Sequence, residues 1–310
     1  MDEAQLERRI QHLAQDTGAA RENATEGQFS LSGAQAKTAL YFDSRRRRWG
    51  VPQGRTPTTH ILKPATSEFD AFDLNEHFCL TLARRVGLAA ASTECRAIGG
   101  VPTLIAERYD RIRREGRWQR IHQEDCCQAL GIHPGSKYEN QGGPGFATIM
   151  TLLEGTDEPE ADRQRFMRTA CLAYLLAATD AHAKNFSLLY SRGSERYSMR
   201  LAPLYDIASA WPYSKQIPAQ KMKLAMRIGR HYRLREIQPR HFVELAKSCR
   251  YSPDALLATL GNFAARVPDE ASAIIAELRQ AEIADEMLER LVDGLASHCK
   301  NVADRLKGSA

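Results

Sequence analysis

The stretch Leu175-Leu176-Ala177-Ala178-Thr179-Asp180-Ala181-His182-Ala183-Lys184-Asn185-Phe186 constrains the chain more than any other. From Phe166 to Ala178 apolar side chains recur at helical spacing with almost no charge, which predicts a buried helix. Phe186 to Tyr190 is an apolar run that reads as a strand. Between the two, Asp180, His182, Lys184 and Asn185 crowd the helix exit, where a rigid scaffold can aim polar groups into a cleft.

Asp180 and Asn185 are separated by four residues, the D-x-x-x-x-N spacing of a protein-kinase catalytic loop. In such a loop the aspartate accepts the proton of the attacking hydroxyl and the asparagine offers an amide oxygen to magnesium. Leu204-Tyr205-Asp206 supplies a second carboxylate after an apolar segment, as a metal-binding aspartate would require. Phosphoryl transfer needs positioning and cations around the phosphate oxygens, so one base, one asparagine and one further aspartate form a minimal set. The same residues also admit a plainer reading as a helix-ending carboxylate, a surface imidazole and a solvated lysine. The rest of the chain has to decide.

At 310 residues the chain suits one large domain or two lobes, at roughly 100–200 residues per domain. Apolar residues make up 43% and charged residues 26%, enough for a sizeable core and unlike a disordered chain. No apolar run approaches the ~20 residues of a membrane-spanning helix. The opening MDEAQLERRIQHLAQ is charged and amphipathic, without a signal-peptide core, so a cytoplasmic protein with no membrane role is expected. Cys79, Cys95, Cys126, Cys127, Cys171, Cys249 and Cys299 are scattered and form no C-x-x-C pair. Neither a disulfide framework nor a zinc site follows, and small buried hydrophobes are expected. The formal charge of +5 does not by itself specify a nucleic-acid partner.

Along the chain, residues 1–24 read as a helix with Leu6, Ile10, Leu13 and Ala14 on one face, ended early by Gly18. Gly27 to Phe42 has small residues in its middle and a strand-like end. Its backbone N–H groups can approach phosphate, and Lys37 adds a positive charge, although such a loop can equally be an ordinary turn. Arg45–Arg48, between Tyr41-Phe42 and Trp49-Gly50-Val51, read as a solvated hairpin tip, with a DNA or RNA phosphate contact as the rival. Thr58 to Pro64 is a short strand carrying Lys63 where kinases place an ATP-holding lysine.

A helix is expected from Asp73 to Val86, with Phe78, Leu82 and Val86 buried and Gly87 as the stop. Glu76 either completes a capping box with Asp73 or pairs with Lys63, and the purely local cap is favoured. Thr93 to Tyr109 reads as a hairpin about Gly99-Gly100, followed by a basic, irregular stretch. From Gln123 the chain reads as mostly helical, interrupted by Lys137 to Gly145, with helices at 146–154, 160–178, 239–248, 253–265, 269–279 and 281–306. The predicted fold class is α+β, a bilobal protein-kinase-like fold. Its small strand-rich N-lobe covers 1–108 and its larger helical C-lobe 109–310.

Several separated segments then agree. Phe29 to Leu40, Thr58 to Lys63, Ala106 to Asp110, Gln123-Glu124-Asp125, Lys137-Tyr138-Glu139, Gly142-Gly143-Pro144-Gly145, Ala178 to Ser187 and Pro203 to Asp206 together resemble the HipA family of serine/threonine-kinase toxins, in order and spacing, from residue 29 to about 245. That resemblance implies Asp180 as catalytic base, with Asn185 and Asp206 holding Mg2+. It implies Lys63 on the ATP phosphates, a covering loop of Ser32, Gly33, Ala34, Gln35, Ala36 and Lys37, and adenine held by Glu107, Arg108 and Tyr109. His182, Lys184 and Asn185 would line the nucleotide site, and Ser30 or Ser32 would be autophosphorylated.

Longer family members carry an additional N-terminal subdomain, whereas 28 residues precede Phe29 here. This resembles the short HipT kinase of tripartite HipB–HipS–HipT systems, and the Ser-Leu-Ser pattern leans the same way. A truncated chain or a lone kinase would look the same. The implied partners are a HipB-like DNA-binding antitoxin, a small HipS-like protein and an aminoacyl-tRNA synthetase substrate, tryptophanyl ahead of glutamyl, with DNA reached only through the antitoxin. The competing expectation is a kinase-fold nucleic-acid-binding or scaffold protein without phosphotransfer. The joint presence of Lys63, Asp180, Asn185 and Asp206 disfavours it.

Overall fold

The computed structural model describes residues 1–15, 36–54, 56–65, 69–114, 116–192, 197–283 and 285–308. Ser30, Ser32, Gly33, Ala34 and Gln35 of the expected phosphate loop lie outside them, and so does residues 16–24 of the expected first helix. The chain divides into two compact units, residues 1–78 with 91–121, and residues 79–90 with 122–310. The sequence reading set its boundary at 108; here the first unit runs on to Ile121 and residues 79–90 group with the second.

In the first unit, α1 (Glu3–Gln15) lays Leu6 and Ile10 on an antiparallel five-stranded sheet. The strands are β1 (Thr38–Asp43), β2 (Arg48–Gly50), β3 (His60–Pro64), β4 (Thr93–Ile98) and β5 (Val101–Glu107), in the order β2-β1-β3-β5-β4. Leu40, Trp49, Leu62, Ile98 and Ile105 complete the core under the helix. The β4–β5 turn needs left-handed backbone at Gly99 and Gly100, with φ of 57° and 79°. A Cβ at Gly99 would also sit 2.9 Å from Glu7 Cβ, so the glycine lets α1 close on the sheet. Arg45, Arg46 and Arg47 lie in the exposed β1–β2 turn and Arg48, also exposed, opens β2, so the run forms a hairpin tip as expected.

The basic stretch after Tyr109 is not irregular. It pairs as a two-stranded ribbon, β6 (Arg111–Arg114) with β7 (Arg117–Arg120). Its arginine-rich strands show no apolar alternation, so periodicity could not reveal them. The ribbon is anchored at its base, where Arg111 donates to Thr58 O at 2.8 Å and to Asp110 Oδ2 at 2.6 Å. Helix α2 (Phe72–Arg85) begins in this unit and ends in the other.

In the second unit, β8 (His122–Asp125), β9 (Ser187–Arg192) and β10 (Tyr197–Leu201) form a sheet in the order β10-β9-β8, so a strand at 122–125 opens the stretch expected to be mostly helical. Short helix α3 (Cys126–Ala129) follows β8, capped by Asp125 with Gln128 in a reciprocal capping box. Helices α4 (Phe146–Leu152), α5 (Pro159–Leu175), α6 (Pro239–Ser248), α7 (Pro253–Gln280) and α8 (Glu286–Lys307) make up the bulk of the unit. A further ribbon, β11 (Lys223–Ile228) with β12 (His231–Arg233), was not foreseen.

The two helices expected at 253–265 and 269–279 are one. Pro268 removes a helical hydrogen bond and clashes with the preceding turn, at about 3 kcal/mol. The stripe Leu260, Phe263, Ala264, Val267, Ala271, Ile274 and Leu278 nevertheless continues through it, fully or nearly fully buried. At about 1.5–3 kcal/mol for each large side chain, that burial outweighs the proline. All seven cysteines are buried, as expected.

Candidate active site

Helix α5 delivers the loop that carries Asp180. It ends in a Schellman motif: Ala178 N donates to Ala173 O at 2.9 Å, Ala177 N to Tyr174 O at 3.1 Å, and Ala177 takes φ of 49°. The helix's last carbonyls are met by a later segment. Trp211 Nε1 donates to Leu175 O at 2.8 Å, Ser209 Oγ to Leu176 O at 2.7 Å, and Ala210 N to Ala177 O at 3.2 Å. Those bonds carry the chain just after Asp206 back to the helix end. On the far side of the loop Phe186 packs edge-on against Phe166 of α5, with ring centroids 5.0 Å apart.

Asn185 joins the pieces. Its Nδ2 donates to Asp180 O at 3.0 Å and to Asp206 O at 2.9 Å. Both amide protons are thereby used, which fixes the flip and leaves Oδ1 as the outward acceptor. Asp206 has φ of 53°, a left-handed conformation unfavourable to a non-glycine residue and often found at functional sites. The Asn185 bond to its carbonyl helps hold that strain. An amide oxygen at position 185 and a carboxylate at position 206 would be hard-oxygen donors of the kind magnesium takes. Among the described residues no group of three or more His, Cys, Asp or Glu could hold a metal.

His182 is buried, and its imidazole is pushed down from the ordinary value first by that burial, then by Lys137, against the opposing charges of Asp180 and Asp206. It is therefore a neutral ring at pH 7, beside Asp180. Its Nε2 lies 3.8 Å from Asp180 Oδ1, while its buried Nδ1 has no hydrogen-bond partner among the described residues. Lys184 directs its ammonium to Asp125 Oδ2 at 2.6 Å, bracing the loop against the start of α3. Tyr205 OH donates to Lys184 O at 2.8 Å and lies 2.5 Å from Ser187 Oγ. Asp125 and Tyr205 were not singled out as site residues, because a cap and a tyrosine give no distinctive spacing signal.

In the first unit Lys63 lies on β3 opposite Leu104, and its ammonium meets both Glu76 oxygens at 2.7 and 2.9 Å. The favoured capping role of Glu76 is thus corrected: the carboxylate faces a buried lysine, and charge pairing there outweighs a cap. Glu107 ends β5 opposite His60, followed by Arg108 and Tyr109. Arg108 forks onto Asp110 at 3.0 and 2.8 Å. Burial alone would raise the Asp110 carboxyl, but Arg108 and Arg111 together hold it below the ordinary range. Ala36 and Lys37 lead directly into β1. A hollow of about 520 Å³ in this unit is lined by Met1, Gln5, Arg9, Gly50, Val51 and Gln53, none of them an expected phosphotransfer residue.

The mixed helix-and-sheet architecture is kinase-like. It is similar to the HipA toxin in a Shewanella oneidensis complex of HipA, HipB and operator DNA, with a TM-score of 0.81 at 22% identity over 99% of this chain and 72% of that one. It is also similar to the Helicobacter pylori proinflammatory kinase CtkA, with a TM-score of 0.58 at 12% identity over 88% and 93% of the two chains. The HipA-like C-terminal domain model matches residues 29–283, and the chain belongs to that family. The Sinorhizobium fredii protein Y4mE is 34% identical over 88% of this chain and 63% of its own length. The Shewanella oneidensis serine/threonine-protein kinase toxin HipA is 26% identical over 79% of this chain and 57% of its own. The chain thus spans less than two thirds of the length of these relatives. Among the described residues no helix is long and apolar enough to cross a membrane.

Proposed function

We propose that the chain is an ATP- and Mg2+-dependent serine/threonine-kinase toxin of a toxin–antitoxin system. The observation that carries this reading is the Asn185 amide, which ties the base loop at Asp180 to the acid at Asp206. Asp180 accepts the proton of the incoming hydroxyl, and Asn185 Oδ1 with the Asp206 carboxylate holds the metal. Bound there, the metal neutralises the phosphate oxygens. Lys63, held by Glu76, engages the nucleotide phosphates, and Glu107 to Tyr109 hold the adenine. His182 lines the nucleotide site as a neutral ring, and Lys184 serves that site by bracing the loop through Asp125.

The substrate in this reading is a serine of an aminoacyl-tRNA synthetase, tryptophanyl ahead of glutamyl, so that translation and growth stop. The HipB in the Shewanella complex supports a HipB-like antitoxin, and the Ser-Leu-Ser pattern of Ser30 to Ser32 leans towards a HipT-type kinase with a small HipS-like partner. Phosphorylation of Ser30 or Ser32 would add about −1.5 to −2 charge to a loop meant to embrace ATP phosphates. The Ser30-phosphorylated chain is then the inactive form and binds ATP more weakly; equal affinity would refute this.

Asp180→Ala is expected to lower transfer of radiolabelled phosphate by at least about 10²–10⁴-fold, the usual worth of a general base, while ATP binding persists. Equal incorporation by wild type and variant would overturn the assignment. A second reading, nucleic-acid contact, is favoured by Arg45–Arg48 and by the exposed Arg113, Arg114, Arg117 and Arg120 of the β6–β7 ribbon. It requires DNA or RNA binding by the isolated chain that weakens steeply with salt. Salt-independent binding, or none, rules it out.

A further inference from the structure

The segment Lys137 to Gly145 has no part in the reading above, yet it touches the proposed base. The Asp180 side chain is 70% exposed. Solvent would let such a carboxylate swing among its rotamers. It is held instead by Tyr138, whose hydroxyl donates to Oδ1. Around this contact stand His182, with its ring edge-on to Tyr138 at 5.1 Å, and Lys137, with Nζ 5.2 Å from the Tyr138 ring centroid. Burial, the hydrogen bond to Asp180 and the charge of Asp180 all push the Tyr138 phenol up, so it stays a protonated donor.

The glycines of the segment serve that tyrosine. Tyr138 O accepts from Gln141 N at 3.0 Å and from Gly143 N at 2.9 Å, and Gly142 takes φ of 87° to close the turn. A Cβ at Gly143 would lie 2.2 Å from Ser136 O and 2.7 Å from Tyr138 O. One at Gly145 would lie 2.2 Å from Glu139 Oε1. Glu139 is itself fixed, accepting from Arg227 N at 2.7 Å and pairing with Arg227 Nε at 3.0 Å. Ala183 N, in the Asp180 loop, donates to Lys137 O at 3.4 Å. The chain is thus folded tightly on both sides of Tyr138 and fastened to the loop it serves.

We propose that Tyr138 is the positioning residue of Asp180, and that the segment from Lys137 to Gly145 is the clamp that aims it. Held at one oxygen, the carboxylate presents the other to the acceptor hydroxyl. The inference rests on the kinase reading above. Removing the donor lets the side chain spread over three staggered wells and a soft terminal torsion, which dilutes the aligned rotamer about 3- to 10-fold. Tyr138→Phe keeps the ring and loses only the hydroxyl, so kcat for radiolabelled ATP turnover should fall by that factor. The KM for ATP and the melting temperature should stay unchanged.

A second measurement needs no activity. With tyrosine isotope-labelled at Cζ, the resonance missing from Tyr138→Phe identifies residue 138, and that resonance should move in Asp180→Ala. An unmoved resonance, or a Tyr138→Phe protein with wild-type kcat, overturns the proposal. A wild-type protein no faster than Asp180→Ala would sink the kinase reading and the role given to Tyr138 with it. The carbon shift would then still report whether the contact exists.

Discussion

Lys63 and Glu76 allow stability and function to be pulled apart. The ammonium sits 2.7 and 2.9 Å from the two carboxylate oxygens, with the side chains only 7% and 4% exposed. Breaking a buried pair on one side costs about 3–5 kcal/mol, because the buried charge loses a close countercharge. Replacing both partners by apolar residues of similar volume is instead neutral or stabilising by about 1–4 kcal/mol. Glu76→Ala should therefore unfold at much lower urea, and Lys63→Met with Glu76→Leu should recover wild-type stability or exceed it. Nucleotide is the second axis of the experiment. A ligand at about a hundred times its Kd stabilises a fold by about 2.7 kcal/mol. Wild type should gain that much from saturating MgATP, and the doubly apolar variant far less. A doubly apolar protein that is stable and still gains the full increment would refute the role given to Lys63. A loss below about 1 kcal/mol in Glu76→Ala would refute the buried-pair argument itself.

Two further outcomes follow from packing and titration. The His298 imidazole, with Nε2 buried between the Tyr174 and Trp211 rings, is pushed down to about 4 by burial and then by Arg305, against an ordinary value of 6.5. The unfolded chain takes up a proton at pH 6.5 where the folded one refuses it until about 4, so stability is lost as pH falls through that window. That loss amounts to about 2–3 kcal/mol after allowance for the ring's partly exposed edge. His298→Leu should remove this part of the acid dependence in urea titrations at pH 7 and about pH 4.5, and an unchanged slope would refute it. Gly294→Ala in α8 should destabilise by about 1–3 kcal/mol, where an ordinary helical glycine would gain about 1. Its Cβ would meet Trp211 at 2.9 Å, and the indole cannot withdraw while its N–H holds Leu175 O. A gain in melting temperature would show that the tryptophan yields.

The site's linear half was legible. The D-x-x-x-x-N spacing, the lysine on a strand and the aspartate after an apolar run can each be read within a few neighbouring residues, and the structure places Asn185 against the carbonyls of both Asp180 and Asp206. The helices of α5 and α6 followed from periodicity, and the β4–β5 turn from its glycine pair. What escaped were features whose cause lies elsewhere in the chain. The partner chosen by Glu76 depends on Lys63, which comes from a different element, whereas a capping box asks only for neighbours. Pro268 looks like a stop until the apolar stripe on both sides is seen to bury as one face. Tyr138 is 42 residues from the carboxylate it touches, and although its segment carries the family resemblance, nothing in it says what the hydroxyl meets. The β6–β7 ribbon is written in arginines rather than in alternating apolar residues, so it left no trace in hydropathy.

The choice of an amide at position 185 has its own logic. An aspartate there would bind a divalent cation more tightly, yet it has no N–H to offer. It would turn a negative oxygen toward the carbonyls of residues 180 and 206, which the Nδ2 group now satisfies. In the proposed site the weaker ligand is thus the one that also ties the two acidic positions together through their carbonyls. A tighter grip on the ion there would cost that tie.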